Sequence, residues 1–495
     1  MHTIYPGPID PSVLYEQEQH ISSAIWEGQD RGTLRCHEHT SKIDGWKLLK
    51  RQIDLIDGQF SLNNALISAL VEKWRRETNT FHLPNGEITI TLDEVARILG
   101  LRVDGEAVVR DTTTCAATGT TNMEICESLL GKAPNSDAKE IKGGMVKLSW
   151  LKENFSECPK DASSDEEVEQ RTRAFLLYLV GSTIFATTSG NLVPLLYLPL
   201  FKDFDKAGKY AWGAAALAFL YRQLGKASMK CQSTISGSLT LLQCWSYFHL
   251  NIGRPEVKQE LSHRFPLALQ WKGKLNNQAK LDITLYRQKL DSFESSDIDW
   301  TPYNDMDSCI PEHIRGDFIL GKSRTILICM DKAEWHLPDR CLRQFGLQQL
   351  RIPKDVQRRE SRSNELVDVE VDSSKGMDLE LQEWSNRGLS IVDSIVEDMV
   401  GADDSEYAQW YSRITRKRVH RQAFVPSQFQ ESVAEMIKIQ ELAYAASSTE
   451  DLNSINKAAF EKNKATADRF MANQIEGFKA LEKRKRTSEE DHQSD

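Results

Sequence analysis

The sequence predicts a mainly α protein with small β hairpin elements, built as one large composite helical domain with a C-terminal helical extension. Three observations predict it. Apolar residues recur at three and four, as in Leu62, Ala65, Leu66, Ala69, Leu70 and Trp74, the period of a half-buried helix. A densely apolar stretch from Gln170 to Ile252 supplies a core. Strand signals are few and short, at 81–90 and 323–330.

The elements follow in order. Residues 1–60 are rich in proline and charge, with apolar anchors at Val13-Leu14 and Ala24-Ile25-Trp26, and read as a segment wrapping a larger body. A core spans 61–353. It opens with a helix over 61–78, for which Ser61 is the expected N-cap. Phe81-His82-Leu83 and Ile88-Thr89-Ile90 then flank Pro84-Asn85-Gly86-Glu87, a hairpin signal. Thr91 with Glu94 three residues later forms a capping box. The helix it starts carries Leu92, Val95, Ala96 and Leu99 inward and ends at Gly100. Residues 110–122 read as a Thr-rich loop, and the acidic stretch 156–170 as a mobile linker. Three core helices follow at about 170–187, 206–226 and 229–251, with Gly190 and Gly225 as stop signals. Residues 293–303 read as loop and 323–330 as one strand. Beyond 353 come a charged linker (354–376), a helical end (377–425, with helices 389–400 and 407–421), C-terminal helices (427–483) and a basic, then acidic tail (484–495). Leu452, Ile455, Ala459, Phe470, Met471, Ile475, Phe478 and Leu481 form a narrow apolar stripe on those last helices, suited to a seam with a partner or with the body.

Composition narrows function. The chain has 495 residues, 40% hydrophobic and 27% charged, with net charge −10. An acidic balance argues against a protein that grips duplex DNA on its own. Nine scattered cysteines without a CxxC pair suit reduced thiols. No signal peptide is read at the N-terminus. The longest apolar stretch, Ala174–Thr187, is too short to span a bilayer, so no membrane is expected.

Several groups invite a chemical reading. Residues 336–353 (His336-Leu337-Pro338-Asp339-Arg340-Cys341-Leu342-Arg343-Gln344-Phe345-Gly346 through Arg351-Ile352-Pro353) describe a short basic helix that Pro338 opens and Gly346 closes, suited to docking rather than chemistry. Trp410 and Tyr411 beside Arg413, Arg416, Arg418 and Arg421 interleave aromatics with positive charge. Together Arg340, Arg343, Arg351, Trp410, Arg413, Arg416, Arg418 and Arg421 form a candidate interaction surface. The alternative is aromatics in the core and arginines on a wet face. Lys483, Arg484, Lys485 and Arg486 form a candidate nuclear import signal for an acidic import receptor, against a solvated helix end. Thr89–Leu101 resembles half of a helix-turn-helix, but Asp93 and Glu94 would face phosphates, so a structural strand–helix unit is expected. Cys36-His37-Glu38-His39 has no second ligand pair and reads as an exposed turn. Asp203 with Asp205 and Asp297 with Asp299 would serve a nuclease only if they converged on metal. No phosphate-binding loop, GxGxxG, GxSxG, or pyridoxal-phosphate lysine setting is recognisable. No cofactor, metal site or catalytic residue is assigned.

Taken together, residues 336–353, the segment Phe81–Leu101 with Val103-Asp104-Gly105, the run from Phe175 through Asp203-Phe204-Asp205 to Tyr210-Ala211-Trp212-Gly213, and the opening Pro6-Gly7-Pro8-Ile9-Asp10-Pro11 with Ala24-Ile25-Trp26 resemble the transposon-related plant mobile domain family. Within it they are similar to the stand-alone MAIN-like (maintenance of meristems-like) members. The resemblance covers roughly residues 5–425. It implies a non-enzymatic nuclear scaffold or regulatory factor acting in gene expression, transposon silencing, genome stability and meristem cell division. It also implies a separate plant serine/threonine phosphatase of the phosphatase-seven type as partner. Some members are fused to such an enzyme, but the signatures GDxHG, GDxxDRG and GNHE are absent here. The alternatives are a direct DNA- or chromatin-binding module and, behind it, a cryptic metal-dependent nuclease.

Overall fold

The computed structural model describes residues 6–38, 61–110, 121–157, 164–255, 264–271, 282–349, 352–354, 372–392 and 406–420. All of them fall within a unit ending at His420; residues 421–495 form a second unit outside the described residues. The described part is mainly helical with small sheets.

The centre is the helix Trp212–Ala227, mostly apolar and almost wholly buried, with Arg222 and Gln223 as buried polar exceptions. It packs on the helix Leu92–Leu99 and on an antiparallel hairpin of strands Thr325–Cys329 and Lys332–His336. Gly225 lies inside this helix rather than ending it. Trp74, Phe81, Tyr221 and Trp245 interlock beside it, with ring centroids 4.8–5.0 Å apart. Such pairs contribute roughly 0.5–1.5 kcal/mol each beyond area burial.

The helix over Asn64–Lys73 is capped by Asn63, whose side chain accepts from Leu66 N–H at 3.1 Å; Ser61 lies outside it. Asn63 displaces Ser61 because its amide also donates to Tyr286 Oη at 2.8 Å, tying the cap to the helix Ile283–Ser292. Strands Trp74–Arg75, Thr80–Leu83 and Gly86–Ile88 form a meander. Leu83 pairs Gly86, so the turn is Pro84-Asn85 and Gly86 already belongs to the strand. The Thr91–Glu94 capping box and the left-handed Gly100 stand as expected.

Other boundaries move. The helix Asp165–Leu179, capped by Ser164, begins inside the stretch read as a linker, and a π-helical turn at Val180–Ile184 extends it. The third core helix is Leu239–His249, preceded by the strand Thr234–Ser236. That strand pairs in parallel with Arg35–His37. Of the helix expected over 389–400, Leu389 ends a 3-10 turn, 390–392 are not helical, Ile391 bridging Ser323, and 393–400 lie outside the described residues. The helix Glu406–Ile414 stops before Thr415, and 415–420 continue as a strap without regular secondary structure.

The strap and the N-terminal segment hold each other. Val13 and Leu14 pack with Tyr407, Tyr411 and Ile414, while Ile21, Ala24 and Ile25 surround Val419. Asp291 fixes the strap by accepting from Val419 N–H at 3.1 Å and from Lys73 Nζ at 2.6 Å.

Candidate functional site

The segment 336–349 folds as two short 3-10 turns, Pro338–Arg340 and Leu342–Phe345, the second closed by left-handed Gly346. It lies over the tip of the 80–88 hairpin. Arg340 Nε donates to Glu87 Oε1 at 2.8 Å, and both side chains are buried. Arg343 Nη1 donates to the Asn85 carbonyl at 2.8 Å. Burial raises the Glu87 carboxyl, but Arg340 beside it, helped by His82, outweighs that and holds it at about 2. His82 Nε2 lies 3.0 Å from Glu87 Oε1. Burial lowers the His82 imidazole below its ordinary value against the opposing pull of Glu87.

The helix Glu406–Ile414 completes this corner and sets its aromatics, Tyr407 and Trp410, against Arg340 and Arg343. Arg340 stacks 5.6 Å from the Trp410 ring; Arg343 lies 5.1 Å from the Trp300 ring and 5.9 Å from that of Tyr407. Tyr411 Oη donates to the Leu83 carbonyl at 2.7 Å. The solvent-facing basic surface is therefore corrected at two positions. Arg340 is buried, and Arg416 is buried while donating to the Gly7 and Ser22 carbonyls at 3.2 and 3.1 Å. Arg343, Trp410 and Arg418 are half-buried and Arg413 exposed. Arg351, Arg421, the import signal Lys483–Arg486 and the stripe 452–481 lie outside the described residues.

The remaining groups are accounted for by structure. On the 92–99 helix Glu94 and Arg97 are buried. Glu94 faces His249 Nε2 at 2.5 Å and accepts from Gln344 Nε2 at 2.8 Å, so the helix is not a reading head. Cys36-His37-Glu38 is not an exposed turn: Arg35–His37 is a strand, and Glu38 accepts from Thr240 N–H and Oγ1 at 2.6 and 2.7 Å. Its carboxylate thus satisfies an amide at the start of the Leu239–His249 helix. Asp203 caps a short helix through Lys206 N–H, Asp297 caps through Glu294 N–H, and Asp299 accepts from Thr301 N–H. Among the described residues no group of three or more His, Cys, Asp or Glu side chains is placed to hold a metal. No helix of the described residues is long and apolar enough to cross a membrane.

In the sequence Asp93 reads only as a carboxylate on the helix surface. Burial pushes it up to about 6 against the pull of Arg97, whose Nε lies 2.9 Å away. The pair lines a cavity of about 440 Å³ with Tyr303 and Phe318. Its only sequence signal was the i,i+4 spacing of Asp93 and Arg97. Arg97 Nε donates to both Asp93 carboxylate oxygens, at 3.0 and 2.9 Å, which makes the pair a structural tie.

Comparison with known proteins follows the same lines. The profile of the plant mobile domain matches residues 53–412. Protein MAIN-LIKE 1 of Arabidopsis thaliana is 54% identical over 447 residues, covering 88% of this chain and 85% of that one. Protein MAINTENANCE OF MERISTEMS of the same plant is 48% identical, covering 91% and 92%. Protein MAIN-LIKE 2 is 55% identical over 88% of this chain, which spans 66% of that protein's length. A serine/threonine-protein phosphatase 7 long form homolog is 36% identical over 83% of this chain and 32% of its own. No solved structure matches. The chain belongs to the plant mobile domain family.

Proposed function

We propose that this chain is a non-enzymatic nuclear scaffold of the plant mobile domain family, acting in gene-expression regulation, transposon silencing, genome stability and the maintenance of dividing meristem cells. The observation that carries the reading is the use made of the basic residues. Arg340 and Arg416 are committed to internal hydrogen bonds, and Arg343 is stacked on Trp300 and Tyr407. Arg340 and Arg416, buried and committed in this way, are not available to release counterions from a phosphate backbone. The half-open edges of Arg343 and Trp410 suit protein docking, where arginine and tryptophan serve as anchors. The net charge of −10 favours the same choice over direct DNA or chromatin binding.

The proposed partner is a separate serine/threonine phosphatase of the phosphatase-seven type. A region like this chain occupies 32% of a relative named for that enzyme, which supports the two parts working side by side. The test is affinity purification of the tagged full chain from dividing plant tissue. Stoichiometric phosphatase without DNA supports the proposal. DNA retained after proteins are stripped at low salt overturns it in favour of direct chromatin binding. Import is tested by replacing Lys483–Arg486 with alanine, which excludes the tagged chain from nuclei if that run is the signal.

A further inference from the structure

The loop 293–300 leaves the arginine–aromatic corner and returns to it. At its start the Phe293 carbonyl accepts from Asn85 Nδ2 at 2.8 Å, and the carbonyl of that same asparagine takes the Arg343 guanidinium. At its end the Trp300 ring lies against Arg343. Between these anchors Glu294, Ser295, Ser296, Asp297 and Asp299 are exposed, while Ile298 is buried. One 3-10 turn, Ser295–Asp297, carries Ser296. Asp297 N–H donates to the Glu294 carbonyl at 3.1 Å, and Glu294 N–H to Asp297 Oδ2 at 2.8 Å. Ile298 is then extended, with φ −105° and ψ 120°. Successive side chains of extended backbone point to opposite sides. With Ile298 pinned inward, Asp297 and Asp299 face solvent, one and three positions after the Ser296 hydroxyl.

Protein kinases choose substrates in part by the charge pattern around the hydroxyl. Carboxylates one and three positions after a serine suit a kinase whose substrate groove is basic, and the folded loop leaves both in reach. Ser164 has acids at the same offsets, Asp165 and Glu167. Its hydroxyl, however, accepts from Glu167 N–H at 3.2 Å as a helix cap, and those acids are wound into the first turn of the helix. We propose that Ser296 is a phosphorylation site for an acid-directed serine/threonine kinase. Ser296 Oγ attacks the γ-phosphorus of ATP, and the bond from that phosphorus to the β,γ-bridging oxygen breaks. ADP leaves with the electron pair, and the hydroxyl proton passes to the kinase's carboxylate base. The phosphate adds about −1.5 to −2 charges at neutral pH, on a loop whose two ends rest on the corner that presents Arg343. The modification goes beyond the scaffold reading and is tested without the phosphatase, so its failure leaves that partner proposal standing.

The experiment incubates purified full chain and ATP with an acid-directed serine/threonine kinase, and in parallel with a base-directed one, and maps the phosphorylated positions by mass spectrometry. Phosphate on Ser296 is expected with the first kinase and not with the second. Ser296→Ala, at an exposed position, is expected to lose that site with an unchanged thermal midpoint. Asp299→Asn keeps the oxygen that accepts from Thr301 N–H at 3.2 Å and removes only the charge. It is expected to slow incorporation at Ser296 about tenfold, as selection by charge requires. The tagged chain isolated from dividing plant tissue is expected to carry the same phosphoserine. A bare Ser296 while the acid-directed kinase labels other positions, an unchanged rate in Asp299→Asn, or a bare Ser296 in the tissue-derived chain overturns the proposal.

Discussion

Arg340 and Glu87 stand 253 positions apart in the chain and meet through one 2.8 Å hydrogen bond between buried side chains. The contact joins the basic turn at 338–345 to the early hairpin, and Trp410 roofs the same arginine. A motif that reads as a docking element in the sequence is first a clasp.

Breaking this clasp on one side leaves a charge stranded. Arg340→Met is expected to destabilise the chain by about 3–5 kcal/mol, because the Glu87 carboxylate stays buried without its cation. Arg340→Met with Glu87→Gln is expected to cost less than the two single changes together. Thermal midpoints of the four proteins measure the difference; additive losses would show that the pair is not coupled.

Acid should act in two windows. Burial pushes His336 down to about 4 from its ordinary 6.5, against the Ser323 carbonyl and Glu94. Its Nδ1–H donates to Ser323 O at 2.7 Å, and its Nε2 accepts from Leu92 N–H at 3.4 Å. The unfolded state binds the proton more readily, so this stability is present above pH 6.5 and is lost as pH falls toward 4. Glu87 is depressed from 4.5 to about 2, so its stability is complete above pH 4.5 and is lost as pH falls toward 2. The thermal midpoint of His336→Gln should fall less than that of the wild type between pH 6.5 and 4.5, the remaining fall belonging to the buried His20 and His82, which burial also holds below their ordinary value. A variant that keeps the wild-type slope there would assign that window to another group.

Arg287 makes forked bonds that lysine cannot copy. Its Nε and Nη2 each lie 2.7 Å from Glu72, and its Nη1 and Nη2 lie 2.5 and 2.8 Å from Asp30. Arg287→Lys is expected to cost about 2 kcal/mol or more, since a single ammonium leaves one buried carboxylate oxygen unpaired. Urea midpoints measure it, and a loss below a few tenths would make the fork dispensable.

Local signals were legible and long-range ones were not. The Thr91–Glu94 box, Gly100 and Gly346 could be read because each cap is decided by residues within four positions. The strand 332–336 was missed because Glu334 and His336 are polar yet buried, each satisfied by a partner far along the chain: Arg222 for one, Ser323 and Leu92 for the other. The parallel pairing of 35–37 with 234–236 joins distant segments that no local pattern links. In the candidate corner the residue types were legible, but the burial of Arg340 and Arg416 was not, since Glu87 and the Gly7 carbonyl carry no mark in the sequence of whom they meet.

Gly105 carries a backbone demand that can be isolated. Its φ is +129°, and a Cβ added there would stand 2.2 Å from the Lys209 carbonyl oxygen. Gly105→Ala is therefore expected to lower the thermal midpoint, through a strain of about 1–3 kcal/mol. Gly388→Ala, where an added Cβ meets nothing within 4 Å, serves as the control and should leave it unchanged. Equal midpoints for both would mean the 105–210 contact yields freely.

The scaffold claim is tested most directly by mixing purified full chain with a purified phosphatase of the phosphatase-seven type and measuring the mass of the eluting species, with duplex DNA titrated across salt in parallel. The account predicts one complex containing both proteins and only weak DNA binding. Separate elution of the two proteins, together with DNA affinity that falls steeply with salt, would contradict it.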